Sequence, residues 1–190
     1  LGGEDDSDDA LVQRAGRGDR NAASRLVARH SPKILAVCTR MLGDRASAED
    51  CAQETFLKLW RSAGGWRPGR AKFETWLYRV ATNACIDRIR RRRPETAADD
   101  AAEYAIYADG SPLADEQLVA DQRQATINEA LRALPDRQRL AVVLCHYEEM
   151  SYAEAAAVME VSVDAFESLL ARARRSLKES LAPARAELMQ

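Results

Sequence analysis

Apolar residues recur every three or four positions along most of the chain, the period of an amphipathic helix with one buried face. A first helix is predicted from Asp9 to about Arg17, stopped by Gly18 where a left-handed residue suits a helix end. A second starts behind Asp19 and carries Ala22, Leu26 and Val27 towards His30. Ser31-Pro32 reads as a fresh start, a cap followed by proline in the first turn. A separate helix is therefore predicted through Ile34, Leu35, Val37, Cys38, Met41 and Leu42 to Gly43. The next opens near Ser47 with Glu49 and Asp50 in its first turn, where acids suit the macrodipole. It carries Cys51, Phe56, Leu59 and Trp60 and ends at Gly64-Gly65. After a loop with Trp66, Pro68 and Gly69, a long helix is predicted from Ala71 to Arg93, with Phe73, Trp76, Leu77, Val80, Ala81 and Ala84 on its buried face. Pro94 ends it.

Residues 94–112 lose the period and contain Asp99-Asp100, Asp109-Gly110 and Ser111-Pro112, so they read as a flexible acidic linker. Tyr104, Ile106 and Tyr107 are its apolar exceptions. From Leu113 a helix resumes, with Ile127, Ala130, Leu131 and Leu134 on one face. Leu134-Pro135-Asp136 closes it and caps another, running to about Tyr147. Ser151-Tyr152-Ala153-Glu154 spells a capping box for a short helix, Tyr152 to Met159. Glu160-Val161-Ser162 turns the chain, and Ser162 caps a last helix through Phe166, Leu169, Leu170 and Leu177. Two helices around a tight turn, the second ending in Arg172, Arg174, Arg175 and Lys178, follow the helix-turn-helix plan. A plain helical hairpin with a solvated basic end satisfies the same pattern, and a turn without glycine favours that reading.

The predicted fold is all-α: two small helical domains, 9–93 and 113–182, joined by the linker 94–112, the second containing the helix-turn-helix. Charge sharpens this division. The net charge of −2 over 190 residues conceals a basic block. Residues 11–93 hold 19 Lys and Arg against 7 Asp and Glu, whereas residues 94–126 hold one base against eight acids. The block is a candidate polyanion surface, and the connector should avoid nucleic acid.

Other classes find little support. No apolar run approaches the roughly 20 residues that cross a bilayer, and no secretory signal is evident. Two histidines, no Gly-rich phosphate loop and no ligand-spaced acids argue against an enzyme, a cofactor, a metal or a small-molecule substrate. Cys38, Cys51, Cys85 and Cys145 show no Cys-x-x-Cys pairing, so a reduced, cytoplasmic setting fits and small core residues are the plain reading. A zinc site from Cys38, Cys51 and a histidine has no standard spacing behind it.

Five blocks together carry a family resemblance. The run Ala48-Glu49-Asp50-Cys51-Ala52-Gln53-Glu54-Thr55-Phe56-Leu57-Lys58-Leu59-Trp60 resembles the core-polymerase-binding helix of extracytoplasmic-function (ECF) sigma factors. Phe73-Glu74-Thr75-Trp76-Leu77-Tyr78-Arg79-Val80-Ala81-Thr82-Asn83, followed by Asp87 to Arg93, resembles the helix with which that family melts and reads the −10 element. Leu134 to Arg139, Ser151 to Ala156 and Arg172 to Leu177 resemble its −35-reading domain. The resemblance covers about residues 9–182 and implies a transcription initiation factor without catalysis of its own. Its implied partners are core RNA polymerase, promoter DNA and an anti-sigma factor, soluble or membrane-anchored.

Individual residues acquire roles through this resemblance. Asp50, Gln53 and Glu54 share one helix face, which reads either as a polymerase-docking face or as a solvated one. Trp66, flanked by Arg67, Arg70 and Lys72, suits stacking on an unpaired base with phosphates neutralised beside it; the other reading folds Trp66 back over the core. The family holds a flipped base with this loop, and Asn83 matches one of its base-contacting positions. Arg88, Arg90, Arg91, Arg92 and Arg93 crowd like charges that a polyanion would relieve, or else form a solvated helix end; Arg88, Arg91 and Arg92 are the expected phosphate contacts. Glu167, Ser168, Ala171 and Arg172 fall where the family's recognition helix faces bases, with Arg174, Arg175 and Lys178 on phosphates. Glu167 departs from the family, many of whose members carry a base there. A helix-turn-helix regulator that ignores polymerase would leave the Asp50–Gln53 face and the Trp66 loop idle, and a purely protein-binding adaptor would leave the arginine strip unexplained.

Overall fold

The computed structural model describes residues 7–69, 72–92 and 115–187, with side chains from 123 to 183 in the last stretch. The proposed linker, with Tyr104, Ile106 and Tyr107, lies outside the described residues, as do Arg70 and Arg93. Every regular element described is helical.

Helices α1 (Asp8–Gly16), α2 (Arg20–Leu42), α3 (Arg45–Ala63) and α4 (Phe73–Arg92) form the N-terminal unit. Local chemistry sets their ends. Ser7, Asp19 and Asp44 cap α1, α2 and α3 by accepting from backbone amides one to three residues into each helix. Gly43 ends α2 at φ 76°, a left-handed conformation that favours glycine. Gly16 is small for a different reason: a Cβ there would lie 2.6 Å from the Ala63 carbonyl, so the ends of α1 and α3 touch backbone to backbone.

The expected break at Ser31-Pro32 does not occur. One helix runs from Arg20 to Leu42 with Pro32 inside it. Its buried seam, Ala22, Leu26, His30, Ile34, Val37, Cys38 and Met41, passes the proline without losing register. Pro32 and Ala28, whose carbonyl loses its partner, both face solvent, so no buried acceptor is left unsatisfied. Tertiary burial of one continuous face outweighs the local stop signal.

The C-terminal unit comprises α5 (Asp115–Ala133), α6 (Asp136–Val142), a π-helical turn (Val143–Tyr147), α7 (Tyr152–Met159) and α8 (Val163–Glu187). Leu131 and Leu134 are buried as the period implies, but Ile127 is 38% exposed. Asp136 was expected to cap α6; instead Pro135 holds the cap position without a side-chain bond, and Asp136 falls in the first turn. The last part of the predicted 136–147 helix widens into the π turn, which buries Val143 and Leu144 and closes with the Glu148 amide on the Val143 carbonyl at 3.1 Å. The capping box of α7 is present, with Ser151 and Glu154 bonded reciprocally, and Ser162 accepts from the Ala165 amide at the start of α8.

The two units share a continuous apolar core. Polar bridges reinforce the seam. Tyr78 donates to Glu148 at 2.7 Å, Arg40 lies 4.3 Å from the centre of the Tyr147 ring, and Arg139 donates to the Met41 carbonyl. The Tyr78 hydroxyl is held far above its usual range by burial and by Glu148, so at neutral pH it remains a donor.

Candidate nucleic-acid interface

Helix α8 has two sharply different sides. Phe166, Leu170 and Ala173 are buried against α6 and α7. Glu167, Ser168, Ala171, Arg172, Arg174, Arg175 and Lys178 are all exposed. At about 100° per residue they fall within one broad arc opposite the buried seam. Helix α7 and the turn Glu160–Ser162 hold α8 through Ala155, Ala156, Val158 and Met159, all buried. This is the geometry of a helix presented to a groove rather than of a hairpin buried on both sides. Four cations share the arc with Asp164, Glu167 and Glu179, so its charge is mixed, with Glu167 next to Ser168 on its N-terminal half. Arg172 is partly committed, its Nε donating to the Ser168 carbonyl at 3.1 Å.

The missing glycine in the turn is resolved in the backbone. Glu160 itself takes the left-handed conformation, φ 53° and ψ 46°, and ends α7. Its carboxylate reaches Arg79 of α4 at 2.8 Å.

On α3, Asp50, Gln53 and Glu54 are exposed together, while Phe56 and Leu59 are buried and Trp60 packs half-buried on the core. Leu57 extends the polar face by one helical turn and is 46% exposed, an apolar side chain that the sequence reading passed over. Its signal was available: Leu57 lies seven residues from Asp50 and three from Glu54, on the same face.

The arginine strip on α4 is not uniformly presented. Arg88 Nη2 bonds Asp50 at 2.8 Å, and Arg92 bonds Asp44 at 2.9 Å and also Ser47. Burial would raise the Asp44 carboxyl; the Ser47 amide and Arg92 outweigh it and hold the group below its ordinary range. Arg90, Arg91 and Asn83 are exposed. The structure therefore brings Asp50, one of the candidate docking residues, onto Arg88, one of the candidate phosphate contacts.

Trp66 turns inward. Its indole N–H donates to Asp9 at 2.7 Å, and its ring stands edge-on to Phe73 and Trp76 at 5.6 and 5.8 Å. Trp76 packs half-buried on the core, as the sequence reading favoured. Lys72, beside this cluster, reaches Glu154 of α7 at 2.9 Å. Asp8, His30 and Glu74 bring three ligand-type atoms within 4.8 Å of one another, a juxtaposition invisible in their spacing; both Asp8 oxygens are engaged there, by Arg29 and His30.

Two helical units, one presenting an exposed charged helix of a helix-turn-helix and the other an acidic face beside a basic helix, define a modular DNA-reading factor. Comparison with known proteins agrees. Residues 26–95 match the Sigma-70 region 2 family and residues 124–177 match Sigma-70, region 4. The chain is 35% identical over 187 residues to the RNA polymerase sigma-H factor of Pseudomonas aeruginosa, across 94% of this chain and 95% of that protein. It is 34% identical over 180 residues to the ECF RNA polymerase sigma factor SigW of Bacillus subtilis, across 90% and 94%. CnrH, solved in complex with the cytosolic domain of CnrY, superposes with a TM-score of 0.69 at 30% identity, covering 94% of this chain and 99% of that one. The chain belongs to the ECF RNA polymerase sigma factors, a family of transcription initiation factors rather than enzymes. No described helix is long and apolar enough to cross a membrane.

Proposed function

We propose that residues 9–93 bind core RNA polymerase and the −10 element, that residues 113–182 bind the −35 element, and that 94–112 link them. The observation that carries this reading is the exposed polar arc of α8, held opposite a fully buried seam while a separate acidic face is exposed on α3. Asp50, Gln53 and Glu54 dock on the polymerase, with Leu57 as an apolar anchor beside them. Arg88, Arg91, Arg92 and Lys72 neutralise phosphates near the −10 element, and Asn83 contacts a base. Trp66, fixed by Asp9, walls the loop that receives an unstacked base instead of standing out as a free blade.

In the −35 unit, Glu167, Ser168 and Arg172 face base edges, and Arg174, Arg175 and Lys178 hold phosphates. Glu167 repels phosphate but accepts from a cytosine amine, which gives this chain a −35 preference of its own. The protein works in the cytoplasm, performs no catalysis by itself and answers to a protein inhibitor of the anti-sigma class. Support for the inhibitor comes from CnrH, solved with a second protein bound.

Run-off transcription with purified core polymerase on a pool of genomic fragments tests the reading. Specific initiation and co-purification with polymerase are expected. A chain that shifts duplex DNA alone yet yields neither would be a helix-turn-helix regulator acting without polymerase.

A further inference from the structure

Three of the four cysteines lie in the N-terminal unit, with Cys85 between the other two. Cys38 of α2, Cys51 of α3 and Cys85 of α4 are all buried, and the Cys85 thiol contacts both of the others. Cys51 has a further neighbour. Arg88 Nη1 lies 3.6 Å from its sulfur, while Nη2 of the same guanidinium bonds Asp50. Neither DNA binding nor polymerase docking requires a thiol. A purely packing role would surround these sulfurs with hydrocarbon, not with each other and a cation.

The surroundings divide the three thiols by chemistry. The Cys85 thiol donating to it, and then the Arg88 guanidinium, hold the Cys51 thiol below its ordinary range against the opposing effect of burial. Cys85 is pushed well up by its contacts with Cys38 and Cys51 and by burial. Cys51 is therefore biased towards the thiolate and Cys85 towards the thiol. Access also differs. Cys51 lines a cleft between α3 and α4 together with Glu54, Lys58, Arg88, Arg91 and Arg92, whereas Cys38 and Cys85 do not line it. That cleft opens on the face that carries Asp50 and Glu54.

We propose that Cys51 is a peroxide-reactive thiol that closes a disulfide with Cys85, and that the bond releases Arg88 and weakens polymerase docking. In the first step the Cys51 sulfur attacks one peroxide oxygen. The O–O bond breaks, the second oxygen leaves as hydroxide and takes a proton as water, and Cys51 becomes a sulfenic acid. In the second step the Cys85 sulfur attacks the Cys51 sulfur, the S–O bond breaks, and the hydroxyl leaves with the Cys85 proton as a second water. Two thiols lose two electrons and one hydrogen peroxide gains them. The product has no thiolate, so Arg88 loses its contact with the Cys51 sulfur, and the new S–S bond pins α3 to α4 beneath the face that carries Asp50 and Glu54. The docking consequence rests on the assignment of that face above; the thiol chemistry does not.

The test treats the full chain with hydrogen peroxide, unfolds it, alkylates the remaining thiols and maps the peptides by mass spectrometry. Two of the four thiols should disappear into one Cys51–Cys85 linked peptide. Cys38→Ala and Cys145→Ala should still lose two. Cys85→Ala should halt at a Cys51 sulfenic acid trapped by dimedone, with circular dichroism melts confirming that each variant is folded. A Cys51 that remains fully alkylatable, or a linkage through Cys38 or Cys145, overturns the proposal. In a second arm the oxidised chain should bind core polymerase at least ten-fold more weakly than the reduced chain, with recovery in dithiothreitol. Equal binding of the two forms overturns the coupling to docking, while failure of the reduced chain to bind at all would instead overturn the docking assignment.

Discussion

The Arg139 guanidinium of α6 donates to the Met41 carbonyl at the end of α2, at 2.6 Å. The same group donates to the carbonyls of Leu131 and Leu134 at 3.1 and 3.2 Å and to that of Arg132. One buried cation thus occupies the unsatisfied carbonyl ends of two helices, where the macrodipole is negative. Removing it strands several acceptors at once. Arg139→Met should cost about 2–4 kcal/mol in urea unfolding with an unchanged slope. Arg137→Met, which loses a single bond to the Met159 carbonyl at 3.3 Å, should cost well under half as much. Equal losses would show that packing of the methylene stems, not the carbonyl bonds, is what matters.

Glu154 serves both the α7 capping box and Lys72. Lys72 first, and then Ser151, depress its carboxyl to about 2. A carboxylate depressed in the folded state contributes stability that is fully present above its unfolded value, near 4.5, and lost as pH falls towards 2. Both partners are substantially exposed, so the effect is modest. Glu154→Gln can still make the cap, and isolates the charge. Melting temperatures of the two proteins should differ most above pH 4.5 and converge near pH 2. Parallel curves across that window would contradict the assignment.

These two relationships mark how far the sequence could be read. Ends set by neighbours a few residues away were legible: Ser151 with Glu154, Ser162, Gly43. The exposed arc of α8 was legible because the 3.6-residue period places it opposite Phe166 and Leu170. Pro32 misled because the deciding interaction, burial of the seam from Ala22 to Met41, is tertiary. Arg139 and Met41 lie 98 residues apart, and Lys72 and Glu154 lie 82 apart, so no local pattern announces either pair. The charge pattern identified the strip from Arg88 to Arg93 but not that Arg88 and Arg92 are held by Asp50 and Asp44.

The α8 face makes two separable predictions. Arg175→Ala should weaken duplex binding evenly across −35 variants and lower the salt slope of log K by about 0.9, the share of one phosphate. Glu167→Lys should instead reorder preference among those variants, since a carboxylate that accepts from cytosine is exchanged for a donor to guanine. Fluorescence anisotropy over a −35 library at several salt concentrations reads both. An unchanged rank order for Glu167→Lys would remove Glu167 from the base-reading set.

Glu160 sets two opposing effects against each other. A non-glycine residue at φ 53° carries a steric cost of about 1 kcal/mol. Its bond to Arg79 is an ion pair in which the two side chains are 63% and 34% exposed, worth about 0.5 kcal/mol or less. Backbone strain therefore outweighs the lost pair, and Glu160→Gly should stabilise the chain by several tenths of a kcal/mol. Glu160→Gln keeps the strain and loses the charge, so it should be neutral to slightly destabilising. The same pair ties the helix-turn-helix to α4, so both variants should free Arg79 and raise affinity for single-stranded −10 DNA, less so at high salt. Thermal melts and strand-binding titrations together decide the matter: a destabilised Glu160→Gly would mean that the turn is held by its ion pair after all.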